Sequence, residues 1–216
     1  MRAATLPPLI LAFCLILLAP GAVVPAAGAT DWVARAGLAV SDLHQRDLTS
    51  DARRGLAVAV GGHRPLGTDG WRLGAEVWYQ RKGFRRGTYE NRIGLEMRAD
   101  VLTVPVLVSY RFPGERFSGR AFAGVAADVV LRTEFRESGQ ATWQDVTDQD
   151  EAVAWLLVLG GGVRMGAGWD LDVRYHHGLS PLTDLDWTQF DDRLPVAHDF
   201  ADATDSTWTL ALGRWF

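Results

Sequence analysis

The chain has 216 residues, with 22 basic, 26 acidic, 23 glycine and 9 tryptophan residues and a single cysteine. Loss of Arg2 with an N-terminal leader takes the basic count from 22 to 21 against 26 acidic residues, a net charge of −5. Mild acidity argues against nucleic acid as a partner, and one cysteine excludes an internal disulfide framework.

Arg2 precedes an apolar run from Leu9 to Leu18, then Pro20 and Gly21, then Ala27-Gly28-Ala29. This is the order of a secretory signal peptide, with small residues where the peptidase reads, so residues 1–29 are expected to be removed after Ala29. Cys14 lies inside the apolar run behind Phe13. A lipoprotein signal wants a small residue there, so the cysteine is expected to leave with the leader. No later stretch approaches the roughly 20 apolar residues of a spanning helix. Residues 30–216 read as one domain without a linker.

Period-2 alternation predicts strands near 32–41, 53–64, 71–83, 100–112, 119–132, 152–165, 168–178 and 206–216. Their connections alternate in length. Segments 65–70, 113–118 and 166–167 are short, whereas 42–52, 84–99, 133–151 and 179–205 are long. The predicted fold class is all-β, a closed antiparallel up-and-down transmembrane barrel of about eight strands, with short periplasmic turns and long outer loops. The last strand alternates through Trp208, Leu210 and Leu212 to the terminal Phe216. A C-terminal strand with an aromatic last residue is the usual closing strand of an outer-membrane barrel and would engage the barrel-assembly machinery.

Segment 71–83 sets Trp71, Leu73, Ala75, Val77 and Tyr79 on one face against Arg72, Gly74, Glu76, Trp78, Gln80 and Lys82 on the other. A lipocalin-type barrel alternates in the same way, but with its apolar face inward and no need for aromatics at strand ends. Here the apolar faces carry Trp32, Trp71, Tyr110, Trp169 and Phe216 at one end and Tyr79, Trp155, Tyr175 and Trp208 at the other. Two such girdles are what the interfaces of a bilayer select. The expected location is therefore the bacterial outer membrane, in contact with its lipids and lipopolysaccharide.

The opposite face predicts a polar interior network of Arg72, Glu76, Arg111, Arg120, Asp128, Arg164, Asp170, Asp172 and Arg174, with Arg132 and His176 on the same face. An eight-stranded barrel is only wide enough inside for its own side chains, which favours a paired network over an open pore. Pro105 lacks a ladder donor, and a closed barrel has no edge to hide it, so a bulge or local break is expected there.

Three segments carry a family resemblance. Gly74-Ala75-Glu76-Val77-Trp78-Tyr79-Gln80-Arg81-Lys82-Gly83 resembles the third strand of the PorT-like outer-membrane β-barrel domain family, among the small barrels of OmpX and OmpA type. Leu102 to Phe112 resembles its proline-containing fourth strand, and Gly160-Gly161-Gly162-Val163 through Arg174 to Leu179 its Gly-rich hairpin. The resemblance implies fold and location, and it carries over no catalytic residue. It departs at Arg214, where such barrels often place an aromatic.

Chemistry-bearing motifs are few, and no cofactor or metal is expected. His176 and His177 point to opposite faces of a strand and cannot share an ion. His177, Ser180 and Asp184 would be the raw material of a lipid-modifying enzyme, but their spacing matches no known motif. Acidic residues Asp145, Asp148, Asp150 and Glu151, and Asp184, Asp186, Asp191 and Asp192, read as solvated loop charge. Bridging to lipopolysaccharide through a divalent ion is the sharper alternative. Trp143, Trp187 and Phe190 among them suit a protein or glycan partner. The function predicted is a non-enzymatic barrel with a filled interior and a scaffold or surface-interaction role. The alternatives are a narrow channel or secretion component, conducting past Arg72, Arg111, Arg164 and Arg174, and after it the enzyme.

Overall fold

The computed structural model describes residues 30–44, 48–67, 69–89, 93–114, 116–137, 141–145, 153–180 and 204–216. The leader and most of segment 179–205, with Asp184, Asp186, Trp187, Phe190, Asp191 and Asp192, lie outside these residues, as do Asp148, Asp150 and Glu151.

Alternation of small and bulky residues produces the strands β1 Asp31–His44, β2 Leu48–Pro65, β3 Trp71–Tyr89, β4 Ile93–Phe112, β5 Ser118–Glu137, β6 Gln144–Asp145, β7 Val153–Arg164, β8 Trp169–Gly178 and β9 Thr204–Trp215. Every pairing is antiparallel. The order β4-β3-β2-β1-β9-β8-β7-β5, with β4 also paired to β5, closes a barrel of eight long strands, and the short β6 hangs on the outer end of β5. Chain neighbours are sheet neighbours, and the first and last strands zip together from Val33↔Trp215 to His44↔Thr204. Closure leaves no barrel strand with an unpaired edge.

Most of these strands reach into segments expected to be loop, four of them by five residues or more. β2 begins at Leu48, β3 runs on to Tyr89, β4 starts at Ile93 and β5 continues to Glu137. The expected loops 42–52 and 84–99 are therefore largely strand among the described residues, and 133–151 is strand at 133–137 and 144–145. At the predicted strand ends and beyond them the outward positions carry ion pairs in place of apolar side chains: Arg81 with Asp100 at 2.8 Å, then Arg136 with Glu96 at 2.6 Å, and Arg98 with Glu134.

Pro105 produces no bulge. It faces Ala126 in an unshifted ladder with β5, while pairing with β3 lapses between Ala75↔Val106 and Trp78↔Thr103 and resumes in the same register. The missing N–H costs one local break on the β3 side. The irregularity of β4 and β5 falls instead between Asp100 and Val101, where Leu131 is the extra residue. That bulge turns Arg132 outward to Glu134 and Asp145, away from the interior predicted for it.

At Gly83 the backbone φ is +131°, and an added Cβ would strike the carbonyl oxygen of Met97. The Ser41 hydroxyl donates to the Gly83 carbonyl at 2.9 Å and accepts its N–H at 2.8 Å, which pins the kink from across β2. Gly83→Ala is expected to cost about 1–3 kcal/mol in urea unfolding of the detergent-solubilised barrel. Ser41→Ala should show a smaller loss of the same sign.

Candidate functional site

The outer surface of the barrel is apolar. Leu38, Val60, Leu73, Val77, Val104, Val106, Val125, Leu159, Val173, Leu210 and Leu212 are all exposed. Such a belt around a closed barrel is stable only against hydrocarbon. Aromatics edge it on both sides. Trp71 meets Tyr110 edge-on at 5.1 Å near the ends of β3 and β4, where Trp32, Trp169 and Phe216 also lie. Tyr175 and Trp208 are register partners with rings 4.8 Å apart, and Tyr79 and Trp155 complete the second girdle. All nine predicted aromatics face outward, and the Tyr79 hydroxyl donates to Asp100 at 2.9 Å.

The interior is filled in layers. Glu76 is the centre of the lowest one: Arg35 donates to it at 2.7 Å, Arg174 at 3.1 Å, and the Trp78 indole N–H at 2.7 Å, while His63 Nε2 lies 2.7 Å from Oε1. Asp170 and Asp172 complete the layer. Arg35 reaches Asp170 at 3.2 Å, Arg174 reaches Asp172, and Arg120 contacts both acids. Above it the Arg174 guanidinium lies over Trp78 at 4.5 Å and Phe122 at 4.9 Å. Gly74 and Gly213 keep this layer open, because a Cβ would meet the His63 ring at the first and the Asp170 carboxylate at the second. The next layer is Lys82, held by Asp128 at 2.6 Å and Asp205 at 2.7 Å, with Thr103 and Thr207 donating to the two acids. Phe84, Met97 and Phe135 cap it. His176 is wholly buried, and neither ring nitrogen has a hydrogen-bond partner among the described residues. His177 is exposed on the opposite face.

Six of the nine predicted interior residues join this interior: Glu76, Arg120, Asp128, Asp170, Asp172 and Arg174. The other three do not. Arg72 pairs with Asp31 at the rim, Arg111 is exposed there, and half-buried Arg164 lies over the Trp215 ring at 5.3 Å. Their strands end at this level, so the side chains reach the mouth and not the centre. Sequence reasoning missed Asp205 and Trp215. Asp205 sits at the very start of β9. Trp215 alternates inward beside outward Phe216 and packs on His63 at 5.0 Å, with Arg35 and Arg120 over its ring.

At the opposite end, Trp143 lies against the guanidinium groups of Arg98 at 4.3 Å, Arg136 at 4.5 Å and Arg53 at 5.4 Å. Beside it a cavity of about 580 Å³ is lined by Arg53, Arg54, Arg85, Arg136, Asp51 and Glu96. The Ser180 hydroxyl accepts the backbone N–H of Trp155 at 2.9 Å.

No curated protein matches the sequence. Among solved structures the chain is similar to OprG from Pseudomonas aeruginosa, at 12% identity over 88% of this chain and 97% of that one, with a TM-score of 0.48. Similarity extends to Ail, the attachment invasion locus protein of Yersinia pestis, at 15% identity over 87% and 99% with a TM-score of 0.45. The outer membrane enzyme PagL is matched at 16% identity over 85% and 98%, with a TM-score of 0.41. Residues 27–184 match the family described as outer membrane protein beta-barrel domain. With its closed barrel, lipid-facing belt and paired girdles, the chain belongs to that family and resides in the bacterial outer membrane.

Proposed function

We propose that this barrel is a non-enzymatic membrane anchor that presents its outer rim to partners, with an interior that does not conduct. The observation that carries the reading is the interlocked packing of the lumen, in which Arg35, Glu76, Lys82, Asp128, Asp172 and Arg174 are fully buried and bonded to one another across the bore. Moving an ion through it means separating buried pairs several times over. The enzyme alternative has little support from the described residues, since Ser180 is engaged by backbone and His177 faces outward.

The rim cavity supports an interaction role. Its arginines outnumber its acids, and guanidinium groups suit phosphate or carboxylate on lipopolysaccharide or a surface glycan. Engagement of the assembly machinery by β9 belongs to the same reading. Planar-bilayer recording of the purified barrel is the test. The expected result is silence. Steady ion-selective openings altered by Arg72→Gln or Arg164→Gln would establish the channel instead.

A further inference from the structure

The outer end of the barrel carries more positive charge than its ion pairs consume. Arg136 gives both Nε and Nη2 to Glu96, and Arg98 is matched by Glu134. Arg53, Arg54 and Arg85 are left over, with no carboxylate among the described residues within ion-pair distance of any of them. All three line the cavity of about 580 Å³, where Arg54 and Arg85 are exposed. The Trp143 ring, with Arg53, Arg98 and Arg136 around it, gathers the neighbouring cations before any ligand arrives.

Strand register puts this cavity on the outer wall of the barrel and not in its bore. Arg54, Val40 and Trp208 form one row across β2, β1 and β9, and both Val40 and Trp208 face lipid. Directly paired residues share a face, so Arg54 points outward at the height of the outer girdle. Arg85 follows inward Phe84 and pairs with Asp51, while Glu96 and Arg136 pair with each other beside inward Met97 and Phe135. Alternation turns Arg85, Glu96 and Arg136 outward too. The Asp51 and Arg85 pair lies three residues beyond the Arg54 row along β2, about 10 Å above the girdle.

For a barrel in the outer membrane, that band is the headgroup layer of the outer leaflet, which lipopolysaccharide fills with sugar phosphates. A soluble glycan approaches from above, whereas the wall is met by the lipid alongside. We propose that the cavity binds a phosphorylated sugar of an adjacent lipopolysaccharide molecule, with Arg54 and Arg85 donating to the phosphate and Arg53 adding charge behind them. Its volume is that of a small-ligand site, so sugar and phosphate enter together. The guanidinium groups neutralise the phosphate directly, and no bridging metal is needed. Asp51, an acid without an ion-pair partner among the described residues, opposes the anion from the same cavity. This assignment rests on the outer rim being an interaction surface, and it gives that surface a partner.

Calorimetric titration of the folded barrel in detergent micelles with EDTA present tests it, using bisphosphorylated lipid A, dephosphorylated lipid A and soluble glucose 1-phosphate. Saturable binding of bisphosphorylated lipid A is expected, with the other two at least about tenfold weaker. The Arg54→Gln/Arg85→Gln double variant should weaken it by a similar factor, and Asp51→Asn should tighten it. These three side chains are exposed and outside the ion pairs, so both variants should keep the heat-modifiable gel shift of the folded barrel. Absence of saturable binding overturns the proposal, as does binding that appears only when a divalent ion replaces EDTA. So does equal binding of dephosphorylated lipid A, which would leave acyl contact alone, equal binding of glucose 1-phosphate, which would make the ligand soluble, or a double variant that binds like wild type. None of these outcomes touches the non-conducting anchor, which falls only to ion-selective openings in the planar bilayer.

Discussion

Glu76→Ala should lower the stability of the detergent-solubilised barrel by about 3–5 kcal/mol, read from the urea midpoint of its tryptophan fluorescence. The loss of one carboxylate leaves the fully buried guanidinium groups of Arg35 and Arg174 with only Asp170 and Asp172 to balance them and Arg120, and deprives His63 and the Trp78 indole of their shared partner. Water cannot replace the missing charge in a bore this tightly packed. Glu76→Gln keeps an oxygen acceptor but not the charge, so it should fall between wild type and Glu76→Ala. A loss under about 1 kcal/mol for both would place these groups in the regime of solvated surface pairs.

Lys82→Met should be of similar size for the opposite reason. Methionine nearly fills the space of the lysine stem, so little packing is lost, but Asp128 and Asp205 then face each other's charge without the ammonium between them. A loss of about 3–5 kcal/mol is expected. Adding Asp128→Asn to Lys82→Met removes one of the stranded charges and should recover part of that loss. The two substitutions are therefore expected to be strongly non-additive in a double-mutant cycle. Additive losses would mean that the two side chains do not act as a unit.

The membrane-embedded part of the barrel was legible because lipid imposes a rule on each outward position. From Trp71 to Tyr79, and from Trp208 to Phe216, every second side chain must suit hydrocarbon or its interface apart from Arg214, and period-2 reading recovers face and girdle together. Beyond the outer girdle that constraint lapses. Arg81, Glu96, Arg98, Glu134 and Arg136 occupy outward positions there, both faces are polar, and continuing strand looks like loop. Arg132 was assigned to the wrong face because a one-residue bulge after Val130 reverses every orientation that follows until the register is recounted. The pairing partners were hidden for a different reason. Lys82 meets Asp205 across the bore from 123 residues away, a contact created only by barrel closure. Arg111 and Arg164 share the alternation of the buried arginines, and only their height along the bore separates rim from interior.

The final strand has a consequence for time as well as for structure. β9 joins β1 to complete the wall, and it carries Asp205 at one end and Trp215 at the other into the two ion layers. The Lys82 layer lacks Asp205, and the lowest layer lacks the Trp215 ring, until that strand arrives, so these contacts belong to the last step of closure. Interactions made that late slow unfolding far more than they speed folding. The barrel should therefore assemble through an unlocked, forgiving intermediate and then persist with a long kinetic lifetime once its last strand is in place.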